Sequence, residues 1–193
     1  ARRLGVRPPS VTGMVQRMGR EGLVRRAGAG EVRLTEKGLR LARRSIRRHR
    51  LIETWLVRSL GMNWTEAHEE AHQLEHALSP RLEALLDAHL GHPRQDPHGA
   101  AIPAADGTMP GQTPTPAENL PDGSEGTVSR LNDRDPERLR YWEELGLKLG
   151  ACVRRVGSAP FGGPVELRVD GRSVHVGPEA LSGIWLDVER RTP

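Results

Sequence analysis

Three histidines and three glutamates fall within residues 68–76. On a helix, at roughly 100° per residue, four of these side chains share one face within an arc of about 100°; they are His68, His72, Glu75 and His76. Imidazole and carboxylate groups on one face ligate divalent first-row transition metals. The spacing therefore predicts a metal site. The alternative interpretation is a solvated polar helix face.

Two classes of protein carry such a cluster. One is a zinc metallopeptidase, because His68-Glu69-x-x-His72 satisfies the pattern in which two histidines one turn apart hold zinc and the glutamate is the general base. The other is a metal sensor, in which the ion is a structural effector. A peptidase zinc needs an open position for water, whereas Glu75 and His76 crowd the same face. The peptidase is therefore the minor alternative.

A second pair of candidate ligands precedes this helix. His49 and Glu53 lie one helical turn apart, which by itself favours a hydrogen-bonded surface pair. With His68 in the same predicted helical layer, we interpret both as ligands. The remaining histidines have no ligand partner at useful spacing and are interpreted as surface or turn residues: His89, His92, His98 and His175.

Composition narrows the class of protein. The chain has 193 residues, enough for one large or two small domains, and its single cysteine excludes a disulfide framework and a thiolate metal cage. A lone thiol fits a reducing cytoplasm. The sequence contains no run of 18 apolar residues, so no membrane-spanning helix is predicted. The net charge is +4, yet residues 1–50 hold 14 arginines and one lysine against three glutamates. This basic segment indicates a polyanionic partner, most simply DNA.

Residues 1–43 are predicted to form most of a winged helix-turn-helix DNA-binding domain. A recognition helix is expected over residues 9–19, and a glycine turn at residues 27–30, flanked by arginine-bearing strands, is typical of a wing. The exposed start of such a helix meets base edges or phosphates. Nothing precedes Ala1 that could form the first helix of this domain, so we expect an N-terminally truncated domain.

The rest of the chain is predicted to complete an α+β, multidomain fold. Residues 44–91 are an all-α metal-binding and dimerisation domain, whose apolar faces need a homodimer partner. Its helices are expected over residues 36–60, from 64 to about 78, and from Pro80. Residues 92–122, rich in proline and turn residues, are a flexible linker. Residues 123–189 contain five short strands and a helical insert, which suggests a C-terminal SH3-like β-barrel.

Five short motifs occur in this order along the chain: Arg17-Met18-x-Arg20-x-Gly22-Leu23-Val24, Leu34-Thr35-x-x-Gly38, Arg48-His49-Arg50-Leu51-x-Glu53, His68-x-Glu70-Ala71-x-x-x-Glu75-His76 and Pro97-x-Gly99-x-x-Ile102-Pro103. Together with the order of the domains, they resemble the metal-dependent repressors of the diphtheria-toxin-repressor type, including their manganese-responsive relatives. The resemblance covers almost the whole chain. It implies that metal binds between the DNA-binding and dimerisation domains and organises the dimer for operator binding.

The resemblance also implies the metal ligands. An ancillary site falls on His49, Glu53 and His68, and a primary site falls on His72, Glu75 and His76. The primary site of the family takes a further side chain from the first N-terminal helix, which this sequence lacks. The barrel domain is expected to add Asp135 to the ancillary site, with Glu137 or Arg138 less secure because an arginine cannot ligate a cation.

Nitrogen and oxygen ligands without sulfur suit Mn²⁺ and Fe²⁺. Position 72 is a histidine, where iron-type members of the family place cysteine and manganese-type members often place glutamate. The absent thiolate favours Mn²⁺. Other divalent ions, namely Co²⁺, Ni²⁺, Zn²⁺ or Cd²⁺, are expected to substitute in vitro because affinity follows the Irving–Williams order.

For DNA, the resemblance places Arg7 and Pro9 at base contacts. It places four further residues at phosphate contacts: Ser10, Thr12, Arg17 and Arg20. Gly13 stands where some members carry a base-reading glutamine, so DNA shape is expected to contribute to specificity. The predicted function is a cytoplasmic metal-dependent repressor of manganese or iron homeostasis genes. It binds double-stranded operator DNA as a homodimer, and has neither a membrane nor a small-molecule substrate as partner.

Overall fold

The computed structural model describes residues 8–28, 31–111, 114–132 and 135–188. Helices dominate the first half: α1 (Pro8–Arg20), β1 (Val24–Arg26), β2 (Val32–Leu34), α2 (Glu36–Leu60), α3 (Trp64–Leu74) and α4 (Pro80–His89). Strands dominate the second: β3 (Thr115–Pro116), β4 (Glu125–Leu131), α5 (Pro136–Glu144), β5 (Cys152–Ser158), β6 (Val165–Val169), β7 (Arg172–Val176), α6 (Pro178–Leu181) and β8 (Ile184–Asp187). The predicted α+β organisation is confirmed. Among the described residues, no helix is both long and apolar enough to cross a membrane.

The base of the wing is packed tightly against the start of α2. β1 and β2 form an antiparallel hairpin, and Thr35 caps α2 by accepting a hydrogen bond from the Gly38 amide at 3.1 Å. The Thr35 hydroxyl also donates to the Gly22 carbonyl at 2.6 Å. A Cβ on Gly38 would lie 2.0 Å from the Leu23 carbonyl oxygen, so a larger residue would push the helix away from the wing.

α2 joins the wing to the rest of the helical half as one continuous element of 25 residues, about 37 Å long at 1.5 Å per residue. Its bounds are those predicted, and it ends at Gly61, which adopts φ 69°. The helix runs through the predicted domain boundary at residues 43 and 44 without a break. Its apolar face packs against α3 through a small core: Ile52, Leu56, Ala67, Ala71 and Leu78.

The segment after α4 differs from the predicted flexible linker. Four of its side chains are 3 % exposed or less: Asp96, His98, Ala100 and Ile102. Three arginines on α2 donate to its carbonyl oxygens: Arg43 to Gly107 at 3.1 Å, Arg47 to Pro103 at 2.8 Å and Arg50 to Ala101 at 2.5 Å. Because α2 satisfies these backbone acceptors, residues 94–107 pack as part of the helical half.

The second half is an antiparallel sheet with strand order β3-β8-β4-β5-β6-β7. The five predicted strands and the Asp170-Gly171 hairpin are present, with φ values of 46° and 86° at the turn. The short β3 was not predicted, and the predicted helical insert is α5. No pairing joins β3 to β7 within the described ranges, so the sheet domain is present but a closed barrel is not shown. Its core centres on the fully buried Trp142.

Candidate metal centre

α2 and α3 bring three predicted ligands together in a compact cluster, which we call the triangle: His49, Glu53 and His68. His49 Nε2 lies 3.1 Å from Glu53 Oε1 and 3.2 Å from His68 Nδ1, and the latter two atoms are 2.8 Å apart. Neighbouring ligands of an octahedral ion with bonds of about 2.1 Å are about 3.0 Å apart. The three atoms are therefore already spaced like one face of such a coordination shell.

A more open group, the solvent-side cluster, consists of His49, His72 and Glu75. His49 Nδ1 lies 3.0 Å from Glu75 Oε2, and His72 Nδ1 lies 3.6 Å from Glu75 Oε1. The His72 side chain is 68 % exposed, so an ion here has room for ligands from solvent or other segments. The predicted ligand His76 lies 3.5 Å from Glu75 Oε1 but is 73 % exposed and outside this cluster. α3 was predicted to reach about residue 78, but it ends at Leu74, so Glu75 and His76 follow it in a turn.

A third group, the buried cluster, was missed by the sequence analysis: Glu53, Asp96 and His98. His98 was interpreted as a surface or turn residue, and this is wrong, because it is 1 % exposed with its ring 5.3 Å from that of Trp64. The loop that carries Asp96 and His98 is distant from Glu53 in sequence, so no helical spacing links the three. The one available signal was the motif that begins at Pro97.

Several atoms of the buried cluster lack a hydrogen-bond partner among the described residues: Glu53 Oε2, Asp96 Oδ2 and both ring nitrogens of His98. Asp96 Oδ2 lies 3.2 Å from Arg50 Nε, but without the alignment of a hydrogen bond. Buried polar atoms without partners are costly and uncommon. A cation held between them would satisfy these atoms, so the donor set fits a divalent ion.

The electrostatics of the three clusters depend on Glu53, whose side chain is fully buried. Burial raises the pKa of this carboxyl, but hydrogen bonds from His49 and His68 and the charges of His49 and His98 outweigh it and bring the pKa to about 2. Burial lowers the pKa of His49, yet Glu53 and Glu75 outweigh burial, so the pKa rises above 6.5. Burial raises the pKa of Asp96, with partial compensation by His98 and Arg50. The clusters thus favour a cationic occupant.

The predicted ligand Asp135 has a structural role at the start of α5. It caps α5, and its Oδ1 accepts hydrogen bonds from the amides of Glu137 at 3.1 Å and Arg138 at 3.2 Å. None of the clusters found in the described part of the chain includes it. Its Oδ1 thus satisfies orphan amides of the first helical turn, and its role as a metal ligand stays a prediction.

The two histidines of the peptidase pattern belong to different clusters. His68 faces Glu53, whereas His72 faces Glu75. His49 belongs to both of these clusters, but neither contains His68 together with His72. No cluster in the described ranges therefore contains the pair that a catalytic zinc would need. The metallopeptidase interpretation is not supported.

The winged helix exposes a basic surface. Thr12, Arg17 and Arg20 are exposed on α1, which extends one residue beyond the predicted recognition helix at each end. Arg7 lies outside the described residues, and the side chains of Pro9 and Ser10 are likewise not described. A winged helix joined by one helix to histidine–carboxylate clusters defines the class of DNA-binding regulators with a built-in candidate metal centre.

Comparison with known proteins agrees with this class. Three domain families match consecutive parts of the chain: the iron dependent repressor N-terminal DNA binding domain over residues 1–32, the iron dependent repressor metal binding and dimerisation domain over 35–104, and the FeoA domain over 115–188. A manganese-dependent transcriptional repressor solved in complex with manganese is 40 % identical, with a TM-score of 0.91 over 97 % of this chain and 88 % of that one. ScaR with bound Cd²⁺ is 32 % identical, with a TM-score of 0.87 over the same shares. The chain belongs to the diphtheria-toxin-repressor family of metal-dependent transcriptional regulators.

Curated relatives match over shorter lengths. The iron-dependent repressor IdeR of Mycobacterium tuberculosis is 44 % identical over 103 residues, which are 53 % of this chain and 45 % of that protein. The diphtheria toxin repressor of Corynebacterium glutamicum is 29 % identical over 186 residues, 91 % of this chain and 80 % of that protein. The match therefore spans about half the length of the mycobacterial repressors. The predicted resemblance is confirmed, and the family is one of transcriptional repressors, which are not enzymes.

Proposed function

We propose that this protein is a metal-dependent transcriptional repressor that binds operator DNA as a homodimer in the cytoplasm, with Mn²⁺ favoured over Fe²⁺. One observation carries the proposal: α2 starts against the wing and contributes a ligand to each of the three clusters. His49 belongs to the triangle and the solvent-side cluster, and Glu53 belongs to the triangle and the buried cluster. An ion in any of these clusters would thus be held by the same helix that supports the DNA-binding winged helix.

The ion would be held by the nitrogen and oxygen donors of these clusters, and it supplies a positive charge that several segments share. When side chains of α2, α3 and the loop at residues 96–98 bind the ion together, the relative motion of those segments is restricted. Because the winged-helix domains of the two subunits are then less free to move, they lose less conformational entropy on binding DNA. The preference for Mn²⁺ rests on the absence of sulfur from the three clusters.

Exposed leucines on the helical half support the homodimer. Four of them are 42–58 % exposed on or beside the metal-binding helices: Leu60, Leu74, Leu82 and Leu85. Apolar surface of this kind is buried when two copies pair about a two-fold axis. The same axis would present two copies of α1 to a palindromic operator.

The phosphate-contact role proposed for Arg17 has a simple signature. Arg17→Ala is expected to weaken binding to all DNA sequences about equally and to reduce the slope of log K against log salt by about 1. Salt titrations on operator and unrelated DNA measure both effects. Arg168→Ala, which removes an exposed arginine from β6, is the matched control and should leave the slope unchanged. An unchanged slope for Arg17→Ala would count against the assigned contact.

The central test is a fluorescence-anisotropy titration of a palindromic promoter DNA with and without Mn²⁺ or Fe²⁺. We expect metal-dependent, salt-sensitive binding by the parent protein. Glu75→Gln, which weakens a carboxylate held 3.0 Å from His49, should lose at least tenfold in affinity at limiting metal. Glu70→Gln, at an exposed position on α3 one turn before Glu75, is the control and should behave like the parent. DNA binding that is equally tight after chelation would refute the metal-dependent function.

A further inference from the structure

The long helix α2 carries two sets of arginines that differ in their surroundings. Four of them are buried or half-buried, and each lies against a carboxylate or a carbonyl of a packed segment: Arg43, Arg47, Arg48 and Arg50. Arg40 and Arg44 are exposed, and their side chains form neither an ion pair nor a hydrogen bond with any residue that the structure describes. The packing of the helical half therefore does not use these two charges.

The spacing of the two exposed arginines brings like charges together. Arg40 and Arg44 lie one helical turn apart, so both side chains leave α2 on the same side, where their charges repel. Glu36 lies one turn before Arg40 and is also exposed, yet within the described ranges no ion pair joins the two. Exposed like charges without a counter-charge complement an anionic partner, because its binding removes the repulsion.

The position of these charges is set by a contact at the end of α1. Lys37 shares their face of α2, because residues 37, 40 and 44 fall within an arc of about 60° at roughly 100° per residue. Its Nζ donates to the Glu21 carbonyl at 2.8 Å, directly after Arg20, the last residue of α1. From Lys37 to Arg44 the axis of α2 rises by about 10 Å. Exposed positive charge thus continues from the last turn of α1 along the first turns of α2.

We propose that Lys37, Arg40 and Arg44, which we call the α2 stripe, form a further surface for the phosphates of duplex DNA, beyond α1 and the wing. This inference rests on the DNA binding of the proposed function. Duplex DNA carries about one negative charge per 1.7 Å of its axis, so a stripe of about 10 Å meets several phosphates. Contacts to phosphate fix the protein on the duplex but do not read the bases. The α2 stripe therefore raises the affinity for any duplex and leaves the choice of sequence to α1.

The salt dependence of DNA binding tests the α2 stripe. With Mn²⁺ present, Arg40→Ala/Arg44→Ala should reduce the slope of log K against log salt by about 2, on operator and on unrelated DNA alike. Arg40→Lys/Arg44→Lys keeps both charges and should keep the slope of the parent. Arg140→Ala/Arg154→Ala is the control matched in net charge, because it removes two exposed arginines of the sheet domain, and it should leave the slope unchanged. Equal reductions in the two alanine variants would overturn the proposal, since net charge alone would then explain them.

Phosphate ethylation interference gives the position of the contacts. The parent should show interference at phosphates adjacent to those identified by Arg20→Ala, and Arg40→Ala/Arg44→Ala should lose these adjacent signals alone. Both changes place alanine on an exposed helix surface, so the fold should be kept, and circular dichroism checks this. An unchanged pattern together with metal-dependent binding would refute the α2 stripe and leave the proposed function intact. Absence of metal-dependent DNA binding in the parent would instead overturn the proposed function, and the stripe with it.

Discussion

Gly99→Ala is expected to displace the loop that carries Asp96 and His98 from the sheet domain. Gly99 adopts φ +78°, and a Cβ at this position would lie 2.0 Å from the Ser129 carbonyl oxygen and 2.9 Å from its carbon. Both obstructing atoms are backbone, so no side-chain rotation can relieve the overlap. The loop is docked there by a hydrogen bond from the Leu131 amide to the His98 carbonyl at 2.9 Å.

The expected cost has two parts. A non-glycine residue at positive φ costs about 1–2 kcal/mol, and the backbone displacement raises the total to about 3 kcal/mol or more. Denaturant unfolding measures the loss, and equilibrium dialysis should find one Mn²⁺ fewer per chain because the buried cluster is dispersed. Gly107→Ala is the matched control, since its φ is +86° but the nearest atom to its Cβ is Arg43 Cδ at 3.9 Å. Equal destabilisation by the two changes would show that backbone strain, and not the close approach to Ser129, sets the cost.

Arg47→Met is expected to destabilise the packing of α2 against α4 and the loop by about 3 kcal/mol. The Arg47 side chain is 8 % exposed, and it lies 3.2 Å from Glu83 and 3.0 Å from Asp87. It also donates to the Pro103 carbonyl at 2.8 Å. Removing the guanidinium takes an ion-pair partner from two largely buried carboxylates and a hydrogen-bond donor from one carbonyl. Methionine retains most of the apolar stem.

The estimate lies at the lower end of the usual range for a broken buried pair because each carboxylate keeps another polar partner. Arg48 lies 2.9 Å from Glu83, and His92 lies 2.8 Å from Asp87. Arg33→Met is the control: its pair with Glu31 is 2.9 Å long but the side chains are 58 % and 55 % exposed, so its loss should cost about 0–1 kcal/mol. Thermal unfolding distinguishes the two, at about 2–4 °C per kcal/mol for a protein of this size. A shift no larger than that of the control would refute the structural role of Arg47.

Local signals in the chain predicted much of the fold. The bounds of α2 follow from a capping threonine at residue 35 and a glycine at residue 61, because both ends satisfy orphan backbone groups within a few residues. Asn63 and Ser79 cap α3 and α4 in the same way. His49 and Glu53 could be named as ligands because one-turn spacing places two side chains on the same helix face. All these features depend on neighbours within about one turn.

Features that depend on distant segments were missed or misjudged. The turn-rich segment after α4 was predicted as a linker. In the structure, arginines of α2 donate hydrogen bonds to its carbonyl oxygens, and its His98 is buried beside Glu53. Asp135 was named as a ligand from the family resemblance, and its capping of the helix that follows it was not predicted. The shared position of His49 depends on how α2, α3 and the turn at Glu75 approach one another. Contacts between segments far apart in the chain follow from packing and desolvation, which leave no periodic trace in the order of the residues.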